Sequence, residues 1–200
     1  MQLPNSCNWP GNDPLMIAYH DNEWGVPLHD DRKLFEFMIL DAFQAGLSWK
    51  TILHRREGFR EAFDNFDAAI ISAYTEEKIQ QLMQDSQIIR NQLKIRSTVT
   101  NALAFLKAQK EFKTFDEYIW QFTGGTTIYN NWTDLKQIPA KSAESDAMSK
   151  DLIKRGFKFV GSTICYAFMQ ASGMVNDHLT YCNNHPFNAG VKLPDSLNPD

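Results

Sequence analysis

Nearly every apolar stretch of this chain repeats with the period of a helix, and almost none with the period of a strand. Leu34, Phe35, Met38 and Ile39 fall at i, i+1, i+4 and i+5, and Ile88, Ile89, Ile95 and Val99 make a similar stripe further on. Phe157–Val160 is the one weak strand candidate. The expected fold is therefore all-α. Asp31, Ser48, Thr75 and Thr114 stand where helices would begin and can cap them. Ser142, with Ser145 as competitor, opens a segment that stops at Lys154-Arg155-Gly156, where basic residues precede a helix-ending glycine. Ser162 or Thr163 opens Ile164–Ala171, closed by Gly173. Gly124-Gly125 through Asn131 reads as a loop, and Pro139 marks a second break. Residues 1–185 are expected to form one domain. The Pro-, Asn- and Asp-rich stretch 186–200 is expected to be a mobile tail.

A chain of 200 residues can bury a sufficient core without disulfides. Its 43% hydrophobic and 22% charged content is that of a soluble globular protein, not a disordered one. Charged residues interrupt every apolar run before bilayer length, and Met1–Asn12 has no apolar h-region, so no membrane association and a cytoplasmic location are expected. A net charge of −4 argues against a nonspecific DNA coat, yet the positive charge is clustered. Lys50, His54, Arg55, Arg56 and Arg60 form one group, Arg90, Lys94 and Arg96 a second, Lys150, Lys154, Arg155 and Lys158 a third. Each is either a solvated helix face or a place for phosphate.

Two Cys/His pairs stand at opposite ends of the chain. Cys7 and His20 lie near the N-terminus, and His178 and Cys182, spaced His-x3-Cys, near the C-terminus. Two thiolates and two imidazoles make the ligand set of a closed tetrahedral zinc site, which would be structural because no position stays open. A Cys7–Cys182 disulfide is the competing explanation, disfavoured in a reducing compartment. His185 can replace a partner, His29 and His54 have no ligand context, and Cys165 sits in an apolar stripe that reads as core.

Three long segments carry a resemblance: Ala18-Tyr19-His20-Asp21-Asn22-Glu23-Trp24-Gly25-Val26-Pro27, Gln44-Ala45-Gly46-Leu47-Ser48-Trp49, and Lys154-Arg155-Gly156-Phe157-Lys158-Phe159-Val160-Gly161. With Cys7-Asn8-Trp9, Thr163-Ile164-Cys165-Tyr166 and Val175-Asn176-Asp177-His178, in that family's order over roughly residues 7 to 182, the chain closely resembles the DNA-3-methyladenine glycosylase I family. The resemblance implies a helix-hairpin-helix glycosylase fold, two helical lobes around a base-binding cleft, with the termini joined by structural Zn²⁺ on Cys7, His20, His178 and Cys182. It implies a base pocket of Tyr19, Trp49 and the acidic Asp41, with Trp9 and Trp24 nearby, and a DNA-binding hairpin from Ile88-Ile89-Arg90 to Lys94-Ile95. Arg90 and Lys94 are its expected phosphate contacts. Trp120 and Trp132 remain core residues.

The implied activity is monofunctional hydrolysis of the N-glycosidic bond of 3-methyladenine, with 3-methylguanine left open as a second substrate, in double-stranded DNA containing alkylated purines, by an enzyme expected to be a monomer. Such a base is cationic while attached to the sugar, so its departure needs little acid catalysis. Recognition is the main task. Trp49 and Tyr19 can sandwich a flat cation, each contact giving roughly 0.5–2 kcal/mol. Asp41 is the expected catalytic carboxylate, accepting hydrogen bonds from the base edge. Five departures from the family matter: Asp41 in place of Glu, Ala42 in place of the Gly that commonly follows it, Met16, still expected to line the base pocket, in place of an aromatic, and Gln87 and Leu93 in place of hairpin glycines. Asp41, Gln87 and Leu93 motivate an alternative, a catalytically weak relative that binds damaged DNA without turnover. A zinc hydrolase using Glu23 is the least favoured reading, because a four-ligand site leaves no room for substrate.

Overall fold

The computed structural model describes residues 6–190. The described residues form ten α-helices: α1 (Pro14–Asn22), α2 (Asp31–Gln44), α3 (Trp49–Leu53), α4 (Arg56–Ala62), α5 (Ala68–Ser72), α6 (Glu76–Gln84), α7 (Gln92–Phe112), α8 (Phe115–Trp120), α9 (Ala143–Lys154) and α10 (Ser162–Ala171). The structure is mostly helical, with one correction. Ile128–Tyr129 (β1) and Val175–Asn176 (β2) form a short parallel pair, Ile128 opposite Val175 and Tyr129 opposite Asn176. Two residues are too few to show alternation, and β1 lies inside the stretch read as loop. The candidate strand Phe157–Val160 is not one. Asn101 clamps Lys158 there, donating to its carbonyl (3.1 Å) and accepting from its N–H (2.7 Å), and Phe159 takes a left-handed φ of 56°.

α2 is the centre of the molecule. Every residue from Leu34 to Phe43 is buried, so the helix is surrounded on all sides, as helices apolar around their whole circumference are. α3, α7, α8 and α10 all pack against it. α7, the longest helix, also packs on α5, α6 and α8, while α9 lies on α10.

Ser48, Thr75, Thr114 and Ser142 cap their helices as expected, Ser142 and Ser145 forming a reciprocal capping box. Asp31 does not. Asp30 caps α2 through the N–H of Lys33, and the Asp31 carboxylate instead accepts the Phe115 and Asp116 N–H groups (2.8 Å each) and Gln109 Nε2 (2.6 Å). It thus serves the start of α8, a partner far away in sequence. Gly161, without a side-chain cap, stands before α10. Beyond Cys182, the first residues of the expected tail are held in turns. Pro186 is buried, and Asn188 Nδ2 donates to the carbonyls of Thr180 (2.9 Å) and Cys182 (2.7 Å). Residues 191–200 of that expectation lie outside the described residues. Among the described residues no helix is long and apolar enough to cross a membrane.

The end of α10 meets the segment after α1 backbone to backbone. Gly25 N–H donates to Gln170 O (2.8 Å) and Leu28 N–H to Ser172 O (3.0 Å). Gly173, at φ 68°, makes this approach possible, since a Cβ there would lie 2.2 Å from the Val26 carbonyl carbon. Gly156 has φ 96° but open space around it. Both Ala variants carry the left-handed strain, about 1 kcal/mol. Gly173→Ala is expected to destabilise by at least ~2 kcal/mol more than Gly156→Ala, because backbone cannot swing aside. Denaturant unfolding of the two variants measures that difference directly.

Candidate active site and metal cluster

A cavity of about 370 Å³ opens between α1, α2, α3 and α10. It is lined by Trp9, Tyr19, Trp24, Asp41, Gln44, Trp49, Leu135, Ile138, Ala167 and Gln170. Five expected pocket residues therefore meet in one place: Tyr19, Asp41, Trp49, Trp9 and Trp24. Met16 does not join them. It is buried but outside the cavity lining, one turn of α1 before Tyr19 and Ile17–Ala18 apart from it in sequence.

The electrostatics of α2 single out one carboxylate. Its buried interior carries two acidic residues, Glu36 and Asp41. Glu36 accepts Arg56 Nε (2.6 Å) and Arg60 Nη2 (2.8 Å), so its charge is matched. Asp41 is 2% exposed, and its Oδ2 has no hydrogen-bond partner. Burial pushes the Asp41 carboxyl well above the usual carboxylate range. Burial, followed by the proximity of Asp41, likewise raises the Tyr19 phenol, which keeps its proton. The indole Nε1 atoms of Trp9 and Trp49 are also buried without partners. These are the three such side-chain atoms among the described residues, and all three belong to cavity-lining residues. Polar groups in protein interiors are nearly always paired, so this cluster asks for a ligand.

The aromatic geometry corrects one expectation. Tyr19 and Trp49 have ring centroids 5.0 Å apart and planes inclined at 48°. They touch each other and cannot hold a base between them. They form one wall, against which a flat ring can stack on a free face. Trp9 meets Tyr19 edge-on at 6.2 Å and Trp24 at 5.1 Å, extending that wall.

Five lining residues were not anticipated. Gln44 lies three residues after Asp41, on the same face of α2, a spacing that could have revealed it. Ala167 and Gln170 share the same relation on α10. Leu135 opens a single 3₁₀ turn, Leu135–Gln137, and Ile138 ends it, a segment too short for apolar periodicity to mark them. Asp177, 0% exposed, orients one of these groups. It accepts Gln170 Nε2 (2.7 Å), Tyr166 OH (2.8 Å), Trp132 Nε1 (2.7 Å) and Asn130 Nδ2 (2.7 Å). Trp120 is core, its Nε1 donating to Leu28 O. Trp132 is partly buried against the core.

Behind the aromatic wall stand Cys7, His20, His178 and Cys182, all buried, with their ligand atoms within 4.8 Å of one another. Cys182 Sγ is 3.6 Å from His20 Nε2 and 3.5 Å from His178 Nδ1, and Cys7 Sγ is 3.8 Å from His178 Nδ1. All three cysteines are free, which removes the disulfide alternative, and Cys165 is buried as core. The outward ring nitrogens are engaged: His20 Nδ1 with Asp21 Oδ1 (2.6 Å), His178 Nε2 with Trp24 O (3.0 Å). Such outer partners fix the tautomer that presents the other nitrogen to a metal. Contact with Cys7, then His178 and His20, draws the Cys182 thiol down, while contact with Cys182, reinforced by burial, pushes the Cys7 thiol up. Two adjacent thiols do not both ionise without a cation. This group could hold a metal ion. His185 is not part of it, its Nε2 lying 3.3 Å from Asn130 O. Glu23 is taken by Arg56 Nη1 (2.9 and 2.7 Å), so it is not a base facing this cluster.

The basic clusters separate. Lys50 and His54 pair with Asp13, Arg56 and Arg60 with acidic residues, and Arg96 with Glu76. Arg55 donates to Ser86 O. Arg90 is exposed on the connection between α6 and α7. Lys94, expected to meet phosphate, turns inward. It is 6% exposed and its Nζ donates to the carbonyls of Phe43 (2.8 Å) and Ala45 (2.6 Å).

Comparison with known proteins agrees with this geometry. Residues 9–185 match the family model described as methyladenine glycosylase. The chain is 48% identical over 182 residues to DNA-3-methyladenine glycosylase 1 of Escherichia coli (strain K12), covering 91% of this chain and 97% of that protein. Among solved structures, it superposes on a crystal structure of 3-methyladenine DNA glycosylase I with a TM-score of 0.89 at 49% identity, covering 90% of this chain and 100% of the other. A single-residue variant of 3-methyladenine DNA glycosylase I in complex with 3-methyladenine gives a TM-score of 0.88 at 31% identity, covering 91% and 98%. A cavity walled by aromatics around an unpaired carboxylate, on a chain matched from Trp9 to His185, thus places this protein in the methyladenine glycosylase family.

Proposed function

We propose that this protein is a DNA repair glycosylase that excises 3-methyladenine from alkylated double-stranded DNA and leaves an abasic site. One observation carries the reading. A cavity of ligand-binding size has aromatic walls and three buried polar atoms, Asp41 Oδ2, Trp9 Nε1 and Trp49 Nε1, that the protein leaves unpaired. An adenine-type base offers what they lack. Its exocyclic amino group can donate to Asp41, its ring nitrogens can accept from indole N–H groups, and its π face can stack on Trp49. A base within a duplex cannot reach such a cavity, so the nucleotide leaves the stack before the bond is cut. The connection 85–91 between α6 and α7, with exposed Arg90, fits the helix-hairpin-helix element that follows phosphate backbone.

In this mechanism Asp41 recognises the base edge and, when ionised, stabilises the positive charge of the sugar as the bond breaks. Burial strengthens that interaction because little water competes for it. Asp41→Asn is expected to slow base release from methylated DNA by about 100-fold or more. Trp49→Ala loses a stacking face worth about 1–3 kcal/mol. Chromatography of released bases reads both, and wild-type rates in both variants refute the assignment. Duplex binding without any release by the unaltered protein would favour the weak-relative alternative.

The unpaired carboxyl also has a stability signature. In the folded protein Asp41 holds its proton over a pH range in which the unfolded chain has released it. Stability therefore falls as pH rises from the ordinary aspartate value of 3.8 toward the elevated folded value, and the deficit is complete above that. Asp41→Asn is expected to remove this slope and to melt higher than wild type at neutral pH, while being less active. Thermal unfolding against pH tests the sign.

The donor set of Cys7, His20, His178 and Cys182 suits a structural Zn²⁺, two soft thiolates and two imidazoles with oriented outer nitrogens. Bound there, the ion supplies fold stability and charge for both thiolates, and no open coordination position. His20 lies 5.4 Å from the Trp9 ring and His178 4.8 Å from the Trp24 ring, so the cluster buttresses the base-facing wall. Chelation is expected to release one zinc per chain, lower the melting temperature and shift tryptophan fluorescence. Protein purified with intact fold and no bound metal contradicts this part.

A further inference from the structure

The side chain of Lys94 reaches from one functional element to another. Its ammonium donates to Phe43 O and Ala45 O, the carbonyls at the C-terminal end of α2. Helix ends leave such carbonyls without intrahelical partners and concentrate partial negative charge there. Burial lowers the Lys94 pKa from its ordinary value, and the two carbonyls compensate its charge. Between them lies Gln44, and one turn earlier Asp41, both in the cavity wall. After Ala45 the chain reverses through Gly46 at φ 80°, closed by Leu47 N–H on Gln44 O (2.6 Å). Ser48 then caps α3, whose first residue is Trp49. This single turn sets Asp41 on one wall against Trp49 on another.

The other end of the tie is equally fixed. Lys94 is in the first turn of α7, its N–H held by the capping side chain of Asn91 (3.2 Å) and its carbonyl by Ser97 (2.7 Å) and Thr98 (3.0 Å). Asn91 follows Arg90 directly. We propose that Lys94 is a positioning residue, which holds the 43–48 turn in the geometry that aligns Asp41 with Trp49 and joins that turn rigidly to the α6–α7 hairpin. DNA held at the hairpin and a base held in the cavity are thereby kept in one register. The inference rests on the reading of the cavity as a base pocket and of the hairpin as a DNA contact.

The test compares Lys94→Met, which keeps the length and loses the ammonium, with Lys94→Arg, which retains donors for both carbonyls. Three measurements are made on each folded protein: single-turnover base release from methylated duplex, affinity for free 3-methyladenine, and affinity with salt dependence for a duplex carrying a tetrahydrofuran abasic analogue. Displacement of the turn by about 1 Å predicts base release slowed roughly 10- to 100-fold in Lys94→Met. Weaker free-base binding, unchanged duplex affinity and unchanged salt slope accompany it, and Lys94→Arg recovers much of the loss. A phosphate-contacting lysine gives the opposite split: free-base affinity intact, duplex affinity reduced and the salt slope smaller by about one. That result overturns the inference, as does a Lys94→Met protein equal to wild type in all three. Should Lys94→Met fail to fold, Lys94→Gln, which keeps an uncharged donor group on a shorter side chain, takes its place. Wild-type protein that neither releases methylated base nor binds free 3-methyladenine overturns the functional reading, and this inference with it. An active wild type matched by Lys94→Met overturns the inference alone.

Discussion

A carboxylate without a partner, inside a helix that is buried on every side, is the constraint around which this molecule is built. α2 carries two acidic side chains into the interior. Glu36 is matched by Arg56 and Arg60, and Arg56 is itself held by Glu23 and lies 4.9 Å over the Phe37 ring. Asp41, little more than one turn later, faces a cavity instead. Leaving a buried acceptor unpaired costs about 1–3 kcal/mol, more for a charged group. The fold neutralises one buried carboxylate with two arginines and leaves the other open to a cavity. The unpaired indole nitrogens of Trp9 and Trp49 in the same cavity make the same point from the donor side.

The cluster of Cys7, His20, His178 and Cys182 and the cavity share a wall. His20 follows Tyr19 directly, and the imidazoles of His20 and His178 pack on Trp9 and Trp24, which line the cavity. A metal held there would join residues more than 170 positions apart, and its binding free energy would add to that of folding. The packing of its imidazoles on Trp9 and Trp24 helps set where the aromatic wall stands. Asp177, with four donors converging on it, supports Gln170 on the other side of the cavity.

Charge along this chain was a poor guide to surface. Of the twelve residues grouped by sequence, six meet carboxylates from other elements, and Lys94 meets backbone carbonyls inside the protein. Coulombic pairing acts over a few ångströms in space, so neighbours in sequence say little about it. Arg90 is the member of its group left exposed and without a salt bridge.

Helix period, most caps and the four metal-type ligands were legible in the residues, because each follows from local chemistry or from an uncommon residue type. Long, low-degeneracy segments such as Gln44 to Trp49 also carried the family, and with it Tyr19, Asp41 and Trp49. What the sequence could not decide was where side chains end. Asp31 serves a helix some eighty residues away, Met16 misses the cavity, Tyr19 and Trp49 touch instead of parting for a base, and Leu135 and Ile138 close a wall from a single 3₁₀ turn too short to show a period. Partners of that kind are set by packing between distant elements, a property of the folded shape that no local window contains.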